Sequence, residues 1–369
     1  MLRWTLRSLF AEPAHLFASI SAVAGAFALV IFFEAVFAGE SKQIVAYIRD
    51  SEADVWVMQK GVSNMHMATS FVWDWKEDRV RKVEGVREVT PILYLNTVMK
   101  TGDRNWFSFI VGLTGGGTRA GPWDAVEGKS MPGPGEVIVP AVLGSLTGVN
   151  LGDEVSIAGR TFTVVGLSEG TFSMANSVAF VTMDDLADIM SSFGSVSYLL
   201  VDAEPGVDGS VLALRIRDEV EKVNAISREA FIDNDWDVAM QMGLEIIGLM
   251  TMIGSALAIL LTAFTVYSIT TRKERELALM KALGVRNRTI YASAMLQAGL
   301  IAILGSSLAA ALVAILAPIT AAFVPQVTLN VSSEALARVS AIAIAVALTA
   351  SLLPVRRLVH LDPVSVFKY

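Results

Sequence analysis

Three stretches of this chain hold no Asp, Glu, Lys or Arg: residues 16–33, 246–271 and 289–333. A fourth, residues 335–353, is interrupted only by Arg338. Nothing else in the sequence restricts the fold so severely. About 20 apolar residues are enough to cross a bilayer as a helix. In hydrocarbon only a helix or a closed barrel satisfies its own backbone. Uninterrupted runs of this length therefore mark membrane-spanning helices. The hydrophobic content of 53% agrees, since an ordinary soluble domain is less apolar.

The lengths of the runs refine this. Residues 246–271 would make a helix of about 39 Å, against a hydrocarbon core of about 30 Å. Its outer end is expected to tilt or to stand clear of the membrane. Residues 289–333 are too many for one span, and Pro318 and Pro325 are expected to cut them. That predicts a helix over 290–316 and an outer linker to 333. Four spans leave both termini on one side. The inferred inner segments hold 11 Lys/Arg and the outer linker none, so the positive-inside bias places both termini in the cytoplasm. A cleaved leader is the competing reading of the N-terminus, where Arg3 and Arg7 precede the apolar run. Val36-Phe37-Ala38 lacks the small-x-small cleavage pattern, so an uncleaved first span is expected. Glu34, near the outer end of that span, is within reach of water, where a carboxylate is hydrated.

The expected fold is a membrane protein with four transmembrane α-helices and a large α+β extracytoplasmic domain between helices 1 and 2. Residues 1–38 form the cytoplasmic N-terminus and first span, 39–242 the outer domain, and 243–271 the second span. Residues 272–288 form a cytoplasmic elbow, 289–353 the last two spans with their outer linker, and 354–369 a cytoplasmic tail. The outer block carries 17 Lys/Arg against 29 Asp/Glu, and the rest of the chain 12 against 7. An acidic domain does not suit nucleic acid, which wants a basic face. The chain has no cysteine, which excludes disulfides and thiolate metal sites.

Within the outer block, strands are expected at 54–58, 86–98, 106–112, 136–140, 177–182 and 196–201. A β-hairpin is expected where 155–157 and 161–165 flank Ala158-Gly159-Arg160. Helices are expected at 71–83, 141–146, 183–192 and 209–223. The mixture is α+β.

The elbow contains a short helix. Residues 274–283 are rich in strong helix formers, Gly284 is a natural C-terminal stop, and Asn287 is an N-cap candidate for the next helix. Its apolar residues, Leu277, Ala278, Leu279, Met280, Ala282 and Leu283, lie all around the helix, which calls for contacts on several sides. On the third span Ala294, Ala298, Ala302, Ser306, Ala310 and Ala314 recur every fourth residue, a packing seam that lets another helix approach closely.

Several motifs tempt and fail. Gly128-Lys129-Ser130 imitates the end of a phosphate loop, but the pattern needs glycine where Trp123 stands. Gly166-Leu167-Ser168-Glu169-Gly170 fits a hydrolase nucleophile elbow. A triad needs a histidine, and of His15, His66 and His360 only His66 shares a compartment with Ser168. A surface turn is expected there. The three histidines are too scattered for a metal constellation.

The order of these features resembles the permease subunits of the FtsX-like/MacB-type ABC transporter superfamily, which includes lipoprotein-releasing and macrolide-export type permeases. Arg272-Lys273-Glu274-Arg275-Glu276-Leu277-Ala278-Leu279-Met280-Lys281-Ala282-Leu283-Gly284 is similar to the family's elbow. Pro354-Val355-Arg356-Arg357 followed by Asp362-Pro363-Val364 is similar to its C-terminal ending. Gly135-Glu136-Val137-Ile138-Val139, Leu151-Gly152-Asp153-Glu154-Val155 and Phe162-Thr163-Val164-Val165-Gly166 resemble its outer domain.

The resemblance implies a subunit of the bacterial inner membrane that is not itself an enzyme and binds no cofactor. ATP and Mg would belong to a separate cytoplasmic ABC ATPase. A second permease chain, identical or related, would pair with this one among membrane lipids, and a periplasmic adaptor is a further implied partner. The elbow would be the coupling helix, with Arg272, Glu274, Arg275, Glu276, Leu279, Met280, Leu283 and Gly284 meeting the ATPase. ATP-driven motion would reach the outer domain by mechanotransmission, for export or extraction of an amphiphilic, lipid-like or peptide-like substrate. The alternative is an FtsX-like signalling relay that activates an extracytoplasmic cell-wall enzyme. A hydrolase using Ser168 is the third hypothesis.

Overall fold

The structure is a computed structural model that describes residues 11, 13–115, 119–174 and 177–360, without the side chains of Met242, Leu244, Glu274, Leu277, Leu353, Pro354 and residues 357–360. It divides into two compact units. One holds residues 39–245 with 323–328, and the other holds the apolar runs.

Helix α1, Pro13–Ile44, carries the first apolar run and continues beyond it. The polar unit follows with α2 (Ala46–Asp50), β1 (Val55–Gln59), β2 (Val72–Trp73), α3 (Trp75–Arg81), β3 (Val86–Thr101) and β4 (Arg104–Leu113). Next come β5 (Ala125–Gly128), β6 (Glu136–Pro140), α4 (Ala141–Thr147), β7 (Glu154–Ile157), β8 (Arg160–Ser168) and β9 (Ser177–Thr182). It ends with α5 (Met183–Met190), β10 (Ser195–Val196), β11 (Tyr198–Ala203), α6 (Gly209–Glu219), β12 (Val223–Ser227) and α7 (Arg228–Ala239).

The main sheet runs in the order β12-β1-β11-β3-β4-β9-β6-β8-β5. Strand β7 pairs with both β3 and β8, so β3-β4-β9-β6-β8-β7 closes into a barrel. The long strand β3 belongs to two structures. Its residues 86–92 pair with β11 in the open part of the sheet, and residues 93–101 pair with β4 in the barrel. Ile110, Val137, Ile157, Phe162, Val164 and Val181 fill one core. In the open part, successive side chains of β1 alternate between faces, as a strand requires. Trp56 and Met58 join Tyr198, Leu200 and Phe231. Val55 and Val57 join Leu199, Val201, Leu212 and Ile216.

The expected helix over 71–83 is shorter. Val72 and Trp73 pair with Val196 and Ser195 instead, and α3 starts only where Asp74 caps Trp75. The expected helix over 209–223 stops at Glu219. Lys222 takes φ +59°, a turn conformation, and Val223 opens β12, which pairs with β1. The hairpin forms as predicted, with Ala158 at φ +49° and Gly159 at φ +88°. Positive φ at both central residues defines the turn type that matches strand twist.

The helical unit contains part of α1 with α8 (Glu245–Arg272), α9 (Glu274–Ala282), α10 (Asn287–Phe323) and α11 (Ser333–His360). Four of the helices are long and apolar enough to cross a membrane. Val23, Phe27, Val30 and Ile31 of α1 pack with Ala258, Ile301, Ala309, Val313, Val339 and Ala343. Pro318 does not end the third span, as expected from the sequence, but sits inside α10, which runs to Phe323. Proline removes one backbone donor, and membrane helices tolerate it where the freed groups find other partners. Pro325 lies in the linker, outside the helix.

Candidate functional site

Helix α9 is the elbow. It ends in a Schellman motif: the Val285 N–H donates to the Met280 carbonyl at 3.1 Å and the Gly284 N–H to the Lys281 carbonyl at 3.0 Å. Gly284 takes φ +81°, which glycine adopts without steric cost. Met280 and Val285 share an apolar cluster with Ile290, Ala294, Tyr291 and Val355, the side-chain contact that accompanies this motif. The turn thus pins the end of α9 onto α10 and α11. The next helix begins at Asn287 itself, and Arg286 supplies the carbonyl that accepts from Thr289 at 2.8 Å. This is one residue from the expected cap.

The expected coupling residues divide between two faces. Ala278 and Met280 are buried. Met280 can therefore act only through packing, and the all-round apolar character of the elbow resolves into an inner and an outer face. Arg275, Glu276, Leu279 and Leu283 are exposed, as are Arg272 and Gly284. Leu279 is 51% exposed and Leu283 76%. Arg275, Leu279 and Leu283 follow one another at four-residue spacing along one face. Glu276 is in the first turn and Lys281 in the last, both favourable to the helix dipole. The side chain of Glu274 lies outside the described residues, as do Arg357, Asp362, Pro363 and Val364.

The base of the elbow also meets the first span. Arg272 Nη1 lies 3.5 Å from His15 Nε2. Around them is a cleft of about 50 Å³ lined by His15, Ser19, Ile269, Arg272, Lys273 and Glu276.

On the third span Ala294, Ala298, Ala302 and Ser306 are all buried. The seam then shifts: Ala310 is only partly buried and Ala314 is exposed, while Gly305, Ala309 and Val313 are buried. A strict four-residue step advances about 40° beyond a full turn, so such a row rotates out of a straight interface. At Gly305 an added Cβ would lie 2.6 Å from Val23 Cγ1 and 2.9 Å from Val23 Cβ. Only glycine fits that crossing with α1. On the same helix, Ala298 and Ala302 meet Val266, Ala347 and Ala350.

Glu34 is not merely hydrated: it pairs with Arg338 of the fourth span. The pair stands at a cleft of about 340 Å³ lined by Phe27, Val30, Phe37, Ser255, Ile259 and Ile342, among others. Both residues were visible as charges near the outer ends of their spans, and their common depth was the signal that could have linked them.

The tempting motifs take structural roles. Ser168 is buried, with Oγ 2.7 Å from Thr171 Oγ1 and 3.4 Å from the Val139 carbonyl. It is a packed strand end and not a surface turn. His66 Nδ1 lies 2.6 Å from Asp235 Oδ2, and Asp235 Oδ1 accepts from the Met65 and His66 N–H groups. That cluster ties the segment after β1 to α7. Lys129 Nζ is bonded to both carboxylate oxygens of Glu136 at 2.7 and 2.8 Å, which holds the Glu136 carboxyl below its usual range. Among the described residues no group of three or more His, Cys, Asp or Glu is placed to hold a metal ion.

Four helices of membrane-crossing length and a large α+β block between the first and second define a multi-pass membrane protein. A family model described as the FtsX-like permease C-terminal matches residues 248–363, and one described as the MacB-like periplasmic core domain matches residues 16–219. The chain belongs to the ABC transporter permeases of the MacB/FtsX type. An uncharacterized ABC transporter permease of Mycobacterium bovis is 23% identical over 376 residues, covering 100% of this chain and 99% of the relative. Another, from Mycobacterium tuberculosis, is 24% identical over 314 residues, covering 85% and 84%. Among solved structures, the periplasmic region of MacB from Actinobacillus actinomycetemcomitans is similar with a TM-score of 0.38 and 11% identity, over 51% of this chain and 94% of that one. The extracellular domain of the transporter YknZ from Gram-positive bacteria has a TM-score of 0.35 and 15% identity, over 47% and 98%. The family is one of permeases and not a known enzyme family, and membership implies a cytoplasmic ATPase partner.

Proposed function

We propose that this chain couples ATP hydrolysis by that separate subunit to motion of its outer domain, for export or extraction of an amphiphilic, lipid-like or peptide-like substrate. The observation that carries the reading is the two-faced elbow. Met280 is held in the spans while Arg275, Glu276, Leu279 and Leu283 are exposed. A short helix anchored on one side and exposed to solvent on the other can be pushed as a rigid body. Its push is delivered to α10 and α11 through the Met280 cluster and to α1 through the Arg272–His15 contact. Both termini lie in the cytoplasm, in a bacterial inner membrane, and a second permease chain completes the translocation unit. ATP and Mg are bound by the partner, not here.

The test is the double variant Leu279→Ala with Leu283→Ala in the full chain, co-expressed with its ATPase. Each exposed leucine that becomes buried contributes about 1–2 kcal/mol. Affinity for the ATPase should fall at least about ten-fold, with the melting temperature of the permease unchanged. Undiminished ATPase binding would remove the elbow's assigned role. If the ATPase binds, no amphiphile alters its turnover, and the outer domain activates a cell-wall hydrolase, the signalling relay replaces transport.

A further inference from the structure

The cleft beside Glu34 and Arg338 has a composition that specifies an occupant. Three spans build it. Phe27, Val30, Glu34 and Phe37 come from α1, Gly248, Thr251, Ser255 and Ile259 from α8, and Arg338, Val339 and Ile342 from α11. On α1 and α8 these positions recur at three- or four-residue spacing, and on α11 Ile342 lies four residues from Arg338 and three from Val339, so each helix presents one face. The two hydroxyls do not make the wall polar. Thr251 Oγ1 donates to the Ile247 carbonyl at 2.9 Å and Ser255 Oγ to the Thr251 carbonyl at 2.7 Å, each within its own helix. Among the described residues of the lining, the only charges are the ion pair.

The pair sits near one end of the lining, with Phe37 and Gly248 about one turn beyond it. From Glu34 to Phe27 the cleft follows α1 for about 10 Å at about 1.5 Å per residue, and every position on that path is apolar. Its volume, about 340 Å³, is of the size of small-molecule sites. Arg338 keeps 61% of its side chain exposed and Glu34 15%. A guanidinium has five donors in a planar fork, and one carboxylate does not use them all. An ion pair within a span is costly unless it has a task, and such residues mark binding sites or pathways.

We propose that this cleft binds a phospholipid of the surrounding bilayer whose head carries a phosphate and a primary ammonium. The phosphate meets the free edge of Arg338, the ammonium meets Glu34, and one acyl chain lies between Phe27, Ile259 and Ile342. A neutral pair of opposite charges is complementary to a head that is itself a neutral pair. An anionic head would leave Glu34 facing a negative charge. A quaternary ammonium has no N–H to give to the carboxylate. The site needs only that the spans cross a bilayer, so it goes beyond the coupling reading and is independent of what docks on α9.

The experiment places the full chain in nanodiscs doped, at equal mole fraction, with diazirine-chain phosphatidylethanolamine, phosphatidylglycerol or phosphatidylcholine. Crosslinks are then mapped by peptide mass spectrometry. Phosphatidylethanolamine should label the Thr251–Ile259 segment about three-fold more than either other lipid, the scale of one partly exposed charge contact. Glu34→Gln should abolish the preference over phosphatidylglycerol, and Arg338→Gln should reduce labelling by all three. Ser255→Phe, which fills the cleft and leaves the ion pair alone, should remove the labelling in a chain that still inserts. Equal labelling by the three lipids, a preference for phosphatidylglycerol, or labelling that survives Ser255→Phe would each overturn the assignment.

Discussion

The polar block and the helical unit differ in the side chains that they bury and in those that they leave outside. The block packs its core with rings: Trp56, Tyr94, Phe109, Phe162, Phe180, Tyr198 and Phe231 are all buried. The helical unit hides Ala258, Ala298, Ala302, Ala309, Ala343 and Ala347 with Gly305, and turns Leu249, Met252, Leu257, Leu260 and Phe264 outward. The solvent explains the inversion. In water, a ring gains by leaving the solvent. In lipid, a leucine gains nothing by leaving, because acyl chains are as apolar as it is. Association between spans then depends on close approach, which small residues permit. One chain thus follows two packing rules, and substitutions should sort by which rule governs them.

The largest expected effect tests the rule of the block. Phe231 is fully buried, with its ring 5.0 Å from Trp56 and 6.2 Å from Tyr198. Phe231→Ala should cost about 3–5 kcal/mol, the transfer of the ring plus the cavity it leaves. Urea unfolding of the full chain followed by tryptophan emission will measure it, since Trp56 reports on that core. A loss under about 1 kcal/mol would mean that the core collapses freely and that the block is not packed around its rings.

The next tests the helical rule by the reverse change. Gly305→Leu places side-chain atoms where Val23 Cγ1 already stands, 2.6 Å from the first added carbon. Overpacking at such a site costs about 1–3 kcal/mol, although the change makes the chain more hydrophobic. Thermal unfolding in detergent should show the loss, and Val23→Ala should recover part of it by opening the space. A stabilised Gly305→Leu would break the contrast between the two units.

The two rules also explain what could be read from the sequence. Spans are legible because lipid imposes length and charge-free composition, and all four runs became helices. The seam of the third span was legible over residues 294–306, where small residues recur in step with the helix. It was lost at Ala310 and Ala314, because a four-residue row drifts and only neighbouring helices decide which residues take over. Pro318 was misread because its local rule is weaker in a long membrane helix than in water. In the block, strands with alternating or continuous apolar character were visible. Strand β12 was not: Val223–Ser227 is five residues joined to a helix through a turn at Lys222, and its strand character comes from pairing with β1. In the elbow, the stop at Gly284 was legible from glycine alone. Which face is bare was not, since Met280 and Leu279 are equally apolar and only α10 and α11 distinguish them. The Glu34–Arg338 pair joins residues from opposite ends of the chain, a long-range contact that no local pattern encodes.

The smallest expected effect is the most discriminating. Leu260 is 64% exposed on α8, whose buried residues, Gly254, Ala258, Thr262, Val266 and Thr270, form a single narrow stripe. If lipid covers the remaining face, Leu260→Ala exchanges one apolar contact with acyl chains for another, and stability should change by no more than about 0.5 kcal/mol. The same substitution at a buried leucine of the block costs about 2–5 kcal/mol, so a near-zero result is informative. Thermal unfolding in nanodiscs, with chain stoichiometry measured in parallel, separates the outcomes. A loss above about 1 kcal/mol together with a fall in stoichiometry would mean that Leu260 packs in an interface between copies of this chain. A large loss with unchanged stoichiometry would mean that the face is covered from within the chain and that the inversion stops short of the second span.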